Sequence, residues 1–131
     1  MLYVHIVIGL ALIEFFVFGA AVGRARHTYN IRAPATTGHP MFERYFRVQM
    51  NTLEQLVIFV PAMLLFARYA SPLVAAALGV IFIIGRALYF RGYVKDPEAR
   101  GTGAIATAIP NAVLLLGGVI GAIWALIARQ G

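Results

Sequence analysis

The sequence predicts an all-α integral membrane protein built as a four-helix bundle. Hydrophobic residues make up 61% of its 131 residues and charged residues only 12%, whereas about a quarter of the residues in soluble domains are charged. The apolar residues also fall into four segments close to the ~20 residues that cross a bilayer as a helix. At this length the chain, residues 1–131, forms a single domain.

The predicted spans are residues 2–22, 45–69, 72–92 and 104–128. The first is interrupted only by His5 and Glu14. No basic residue precedes it and its apolar run is long for a signal peptide, so we interpret it as a retained helix. The helix of the second span is expected to begin earlier, near Phe42, and the fourth span is rich in glycine and alanine, which suit close helix packing.

Basic residues are distributed unevenly between the connecting segments. The first connection carries Arg24, Arg26 and Arg32, and the third carries Arg91, Lys95 and Arg100. The positive-inside rule therefore predicts that both connections face the cytoplasm and that both termini lie on the other side. This distribution accounts for the net charge of +6 without a nucleic-acid partner, because the arginines separate apolar runs instead of clustering on one polar surface.

Metal and thiol chemistry of the chain itself is not predicted. The sequence contains no cysteine, and His5, His27 and His39 are scattered without the spacing of metal ligands.

Polar side chains open the second span, in the stretch FERYFRVQMNTLEQ. Arg47, Asn51 and Glu54 are spaced i, i+4 and i+7 and share one helical stripe, which Gln55 borders, whereas Gln49 lies elsewhere on the same turns. Spacing alone leaves two explanations open. These groups either join helices by hydrogen bonds within the bilayer, or they bind the carboxylate, amide and ammonium groups of a zwitterionic ligand.

A second polar stripe closes the third span, in GRALYFRGY. Arg86, Tyr89 and Tyr93 are spaced i, i+3 and i+7. Anchoring in the headgroup zone explains Tyr93 well and Arg86 less well, because Arg86 lies about a turn inside the span. Glu14, near the middle of the first span, is expected to form a buried structural pair, with Arg86 as its partner.

Both stripes, together with Arg26, His27 and Arg100, lie at the predicted cytoplasmic ends of the spans. An anionic, amide-rich, water-soluble ligand would fit this convergence of cations and amides. Glutathione, with two carboxylates, two amides, an ammonium and a thiol, matches these groups, although the physical argument permits this ligand without singling it out.

The stretch TTGHPMFERYFRVQMNTLEQ, together with GRALYFRGYVKDPEAR on the next span, resembles the MAPEG family. These membrane-associated proteins of eicosanoid and glutathione metabolism include the microsomal glutathione transferases and leukotriene C4 synthase. The resemblance rests on an E-R-x-x-R-x-Q-x-N-x-x-E motif that opens one span and an R-x-x-Y-x-x-x-Y motif that closes the next. It implies a homotrimer of four-helix subunits, with glutathione as co-substrate bound between neighbouring subunits near the cytoplasmic face.

The resemblance also implies roles for individual residues. Glutathione would be contacted by the residues at matching positions, namely Arg26, Arg47, Gln49, Asn51, Glu54, Gln55, Tyr89 and Tyr93. Arg100 would be the catalytic residue, because a cation beside the sulfur favours the thiolate over the thiol. The thiolate would then attack a lipophilic electrophile dissolved in the bilayer, or reduce a lipid hydroperoxide. Glu43 and Arg44 are expected to be structural.

The sequence departs from the leukotriene C4 synthase pattern at two positions. His27 stands where a second arginine occurs, and Gln55 stands where a tyrosine occurs. We therefore expect a general transferase or peroxidase instead of a leukotriene synthase. A basic retention signal is absent from the C-terminus, which favours a bacterial inner membrane.

Two other functions remain possible at this point. One is a non-catalytic scaffold of the same family that binds lipid or glutathione, although the presence of both Arg47 and Arg100 favours an enzyme. The other is an unrelated small transporter or helper subunit, which predicts polar groups through the membrane midplane. Only Glu14 lies that deep in the predicted spans.

Overall fold

The computed structural model describes residues 1–130 as four long helices with short connections. They are α1 (Leu2–Tyr29), α2 (Pro40–Tyr69), α3 (Pro72–Lys95) and α4 (Gly101–Gln130), and a 3₁₀ helix, Pro97–Arg100, leads into α4. Each of the four is long and apolar enough to cross a membrane, and residues 1–130 contain no strand. The prediction of an all-α membrane protein is therefore confirmed.

The helices are longer than the apolar segments that predicted them. α1 continues past residue 22 and ends at Asn30, which adopts the left-handed conformation with φ of 55°. α2 begins at Pro40, because the backbone N–H of Met41 donates to His39 Nδ1 over 3.1 Å and proline suits the first position of a helix. Hydropathy indicates where lipid contact ends, but capping residues determine where the helix ends.

The core lies among α2, α3 and the first half of α1. Phe59 of α2 and Phe82 of α3 are fully buried and stack with ring centroids 3.9 Å apart. Val7 of α1 and Leu114 of α4 complete this cluster from either side, so α2 and α3 each pack against both outer helices. In contrast, Phe16 of α1 is 78% exposed and Trp124 of α4 is 73% exposed, as expected for faces that contact lipid or another subunit.

Glycines bring α3 and α4 close together at the end of the bundle where α2 begins. A Cβ on Gly85 would lie 2.8 Å from the carbonyl oxygen of Ala106, and one on Gly103 would lie 2.5 Å from Tyr89 Cα. Since these neighbours are backbone atoms, neither position tolerates a larger residue without moving a helix. This close approach places the polar residues of α3 directly beside the start of α4.

Candidate functional site

A pocket of about 300 Å³ lies between α2, α3 and the start of α4. It is lined by Asn51, Gln55, Arg86, Tyr89, Arg100, Ala104, Thr107 and Ala108. Among the sequence-predicted site residues, Asn51, Gln55, Tyr89 and Arg100 are thus brought together, from three different segments of the chain.

Arg86 forms the buried floor of this pocket, with 1% of its surface exposed. Its Nη2 donates to Thr52 Oγ1 over 2.7 Å and its Nη1 donates to Thr107 Oγ1 over 3.3 Å. Each threonine hydroxyl donates its own hydrogen to a carbonyl one turn earlier in its helix, so its lone pairs remain available to accept from the guanidinium. One cation therefore links α2, α3 and α4.

Glu14 and Arg86 lie close enough for their charges to attract each other, but they do not form the direct pair that the sequence predicted. The two Nη atoms of Arg86 donate to Thr52 and Thr107. Glu14 Oε1 is buried and has no hydrogen-bond partner among residues 1–130. The two threonines could not be recognised from the sequence, because threonine is common in membrane helices and usually bonds to its own backbone. Only helix packing shows that both hydroxyls face the same arginine.

Tyr89 and Tyr93 follow Arg86 along the same face of α3. The guanidinium of Arg86 lies 4.4 Å from the centre of the Tyr89 ring, a distance at which a cation is attracted to an aromatic face. The Tyr93 ring stacks on Tyr89 with centroids 5.7 Å apart and planes at 15°. The stripe predicted from the i, i+3, i+7 spacing is therefore a stack of side chains in contact.

Gln55 is held by a residue that sequence reasoning missed. Asn111 of α4 is 4% exposed, and its Nδ2 donates to the backbone oxygen of Gln55 over 3.3 Å and to Gln55 Oε1 over 3.0 Å. The signal in the sequence was an amide beside Pro110 in an otherwise apolar span, and a polar residue at such depth generally has a partner.

Arg100 lies at the exposed rim of the pocket, as the last residue of the 3₁₀ helix. Asp96 caps that helix, since its Oδ1 accepts from the N–H of Glu98 over 3.1 Å. Arg44 of α2 donates to the carbonyls of Val94 and Lys95 over 3.0 and 3.2 Å, and so ties the start of α2 to the end of α3. These bonds position the turn that carries Arg100, in agreement with the structural role expected for Arg44.

Arg47 and Glu54 are exposed on α2. They lie on the same stripe as Asn51, because the three residues are separated by nearly whole helical turns. Neither lines the pocket. Their side chains are exposed to the surroundings of α2.

Gln49 and Arg26 are placed away from the pocket. Gln49 is on the opposite face of α2 and lines a separate cavity with α1, where a Cβ on Gly19 would lie 3.0 Å from Gln49 Nε2. Arg26 Nη1 donates to the carbonyl of Ala35 over 2.7 Å, and its guanidinium lies 4.9 Å from the centre of the Phe42 ring. A single chain therefore does not bring these two residues to the others.

The lining residues of the pocket include two arginines and no carboxylate. Arg86 supplies a fixed charge at the floor, and Arg100 supplies one at the rim. Positive charge in a partly enclosed site attracts anions, and Asn51 and Gln55 add amide groups. The pocket is therefore suited to an anionic ligand that also offers hydrogen-bonding groups.

Residues 4–120, nearly the whole chain, match the sequence profile of the MAPEG family. The chain belongs to the MAPEG family.

The relatives of this MAPEG protein include bacterial and animal proteins. An uncharacterized protein of the cyanobacterium Synechocystis sp. is 40% identical over 126 residues, which is 96% of this chain and 92% of the relative. Microsomal glutathione S-transferase 2 of Homo sapiens is 39% identical over 104 residues, or 79% of this chain and 71% of the relative. Leukotriene C4 synthase of Cavia porcellus is 34% identical over 83 residues, or 63% and 55% of the two chains.

The two residues at which this MAPEG protein departs from the leukotriene C4 synthase pattern have different surroundings. His27 is exposed near the end of α1. Gln55, in contrast, is a pocket residue that bonds to Asn111. The glutamine therefore changes the chemistry of the pocket interior.

Proposed function

We propose that this protein is a membrane-bound enzyme that activates the thiol of glutathione for transfer to lipophilic electrophiles or for reduction of hydroperoxides. The observation that carries this proposal is the convergence of Asn51, Gln55, Tyr89 and Arg100 on one cationic pocket. These residues match positions implied to contact glutathione, and the names of the relatives, microsomal glutathione S-transferase and leukotriene C4 synthase, support the same chemistry.

The roles follow from the chemistry of each group. Arg47 binds a carboxylate of glutathione through its guanidinium, Glu54 binds the ammonium, and Asn51 bonds to a peptide amide. Tyr89 and Tyr93 contact the tripeptide, and the Tyr89 hydroxyl forms a hydrogen bond with it. Arg100 lies beside the sulfur and stabilises the thiolate, which is the nucleophilic form of a thiol. Glutathione is the co-substrate, and no step requires a metal.

The complete site forms between copies of the chain in a homotrimer. Arg26 and Gln49 lie on the α1 side of the molecule, away from the pocket, so they reach glutathione bound at the pocket of a neighbouring copy. The exposed apolar faces of α1 and α4 provide surfaces for this contact and for lipid. A trimer would therefore bring together all the proposed glutathione-binding residues, which lie apart from one another within a single chain.

The enzyme resides in a bacterial inner membrane, with the pocket facing the cytoplasm. The cyanobacterial relative and the excess of arginine and lysine in the first and third connections support this placement. Glutathione then enters from the cytoplasm, and the electrophile enters from the bilayer. A site at the interface suits these two substrates because one is hydrophilic and the other is not.

Turnover by the purified protein tests the proposal. The protein in detergent is mixed with glutathione and with either a dinitro-substituted aryl chloride or cumene hydroperoxide, and product formation is followed. We expect activity that is lost in Arg100→Ala and kept in Arg129→Ala, a matched arginine at the far end of α4. Glutathione binding without turnover of either substrate would favour the non-catalytic scaffold instead.

A further inference from the structure

The orientation of the Gln55 side chain is determined by its bonds to Asn111. The backbone carbonyl of Gln55 can only accept a hydrogen bond, so the Asn111 atom that faces it over 3.3 Å must be the amide nitrogen Nδ2. The same Nδ2 lies 3.0 Å from the end of the Gln55 side chain. That end must therefore be the acceptor, Oε1, and the Gln55 amide cannot flip without losing a bond.

This orientation leaves the Gln55 Nε2 group as a hydrogen-bond donor. Its oxygen is occupied by Asn111, and within residues 1–130 no protein acceptor takes a hydrogen from Nε2. Gln55 lines the same pocket as Arg100. A lining residue of the pocket thus carries an unpaired amide donor whose orientation is set before any substrate binds, and such a donor needs little reorganisation when charge develops nearby.

The depth of Gln55 indicates which substrate it meets. Gln55 lies about one helical turn, ~5–6 Å along the axis, further into the apolar part of α2 than Asn51. The hydrophobic stretch from Leu56 to Phe66 begins immediately after it. A tripeptide entering from the polar end of the helices meets Asn51 first, whereas a substrate arriving through lipid meets Gln55.

We infer that Gln55 donates a hydrogen bond to oxygen of a hydroperoxide substrate, and that it thereby determines specificity by favouring reduction of the hydroperoxide over transfer to an aryl chloride. Asn111 acts as the positioning residue that holds this donor in place. The inference rests on the proposed function, since glutathione bound in the pocket supplies the thiolate.

The step balances as a two-electron reduction. The glutathione thiolate attacks the distal oxygen of the hydroperoxide, an S–O bond forms, and the O–O bond breaks with its electron pair on the proximal oxygen. Gln55 Nε2 stabilises that alkoxide, which takes a proton from water and leaves as the alcohol. The glutathione sulfenic acid then reacts with a second glutathione to give the disulfide and water, so glutathione is oxidised and the hydroperoxide is reduced.

Attack on an aryl chloride makes little use of such a donor. The negative charge of that addition complex spreads over the aromatic ring and its nitro groups, away from the carbon that sulfur attacks. A donor fixed beside the reacting atoms therefore stabilises the hydroperoxide transition state more, and only interactions that are stronger in the transition state accelerate a reaction. The ratio of peroxidase to transferase activity therefore measures whether the Gln55 amide lies beside the reacting oxygen.

The test compares kcat/KM for cumene hydroperoxide with kcat/KM for the aryl chloride in wild type, Gln55→Met and Asn111→Leu. Both substitutions keep the approximate size of the side chain and remove the amide. We expect each to lower the peroxidase-to-transferase ratio by about tenfold, the value of one hydrogen bond of ~1.4 kcal/mol. Ile58→Met, on the exposed face of the same helix, is expected to leave the ratio unchanged.

The outcomes separate the inference from the proposed function. Equal losses of both activities in Gln55→Met, or a wild type that turns over the aryl chloride and not the hydroperoxide, overturn the inference and leave the glutathione enzyme standing. A wild type inactive with both substrates overturns both. If Gln55→Met does not fold, Gln55→Asn, which keeps the amide but withdraws it by one methylene, must still lower the ratio for the inference to hold.

Discussion

Arg86 Nη2 donates a 2.7 Å hydrogen bond to Thr52 Oγ1 in the interior of the helix bundle. The second guanidinium nitrogen reaches Thr107 on α4, so a cation is held at membrane depth by two neutral hydroxyls. A buried charge without a paired carboxylate is costly. Its place at the floor of the proposed glutathione pocket explains why it is useful there, since its charge adds to that of Arg100.

Thr52→Val should destabilise the protein while Thr52→Ser should not. Valine has the shape of threonine without the hydroxyl, so Arg86 Nη2 is left buried and unpaired, at a cost of about 1–3 kcal/mol. Serine retains the acceptor. Thermal unfolding in detergent, followed by circular dichroism, should show a lower melting temperature for valine only. Equal melting temperatures for the two variants would mean that the bond contributes little.

Gly103→Ala should be far more harmful than Gly101→Ala, although both glycines lie in the first turn of α4. A Cβ at Gly103 would meet the backbone nitrogen and Cα of Tyr89, whereas a Cβ at Gly101 meets nothing within 4 Å. Forcing α4 away from α3 should cost about 1–3 kcal/mol and weaken glutathione binding. Calorimetric titration with glutathione and thermal unfolding measure the two effects, and tight binding by Gly103→Ala would contradict this description of the pocket wall.

Tyr89→Phe should separate the contribution of the ring from that of the hydroxyl. Phenylalanine preserves the stack with Tyr93 and the contact with Arg86, so the melting temperature should hardly change. Loss of one hydrogen bond to the ligand should raise KM for glutathione by about two- to tenfold. Steady-state kinetics at varied glutathione would show this, and an unchanged KM would mean that the hydroxyl does not contact glutathione.

Mixing two inactive variants should restore activity if the site forms between copies. A subunit with Arg26→Ala still carries Arg100, and a subunit with Arg100→Ala still carries Arg26. Co-expression of both with different affinity tags, followed by purification through both tags, should therefore yield some complete sites. Activity above that of either variant alone is the expected result. Its absence in a doubly tagged oligomer would indicate that each copy contains its whole site.

The sequence predicted most of the fold and part of the site, for a physical reason. Apolar length defines a membrane span, and stripes such as Arg47 to Glu54 follow from helical periodicity, so both were accessible from one chain. Contacts between helices could not be predicted from the sequence of one chain. Asn111 lies 56 residues beyond its partner Gln55. Arg86 lies 34 residues beyond Thr52 and 21 residues before Thr107, and only packing brings these residues together.

The absence of a direct bond between Glu14 and Arg86 has the same origin. Charge complementarity favoured a pair with Arg86, because a lone carboxylate and a lone guanidinium in lipid are each expected to find an opposite charge. Two hydroxyls on adjacent helices accept from the Nη atoms of the arginine instead, while its Nε is buried without a hydrogen-bond partner in the part of the chain that the structure describes. Periodicity shows which residues share a face of one helix, but it does not show which face of the next helix is opposite.

The central claim is that Arg100 stabilises the glutathione thiolate, and the short-wavelength ultraviolet absorbance of the thiolate tests it most directly. Glutathione is titrated into wild type, Arg100→Ala and Arg129→Ala in detergent at pH values below the pKa of a free cysteine thiol, about 8.5. Wild type and Arg129→Ala should show a saturable thiolate signal, and Arg100→Ala should lose it while still binding glutathione by calorimetry. A signal of equal size in Arg100→Ala would contradict the claim.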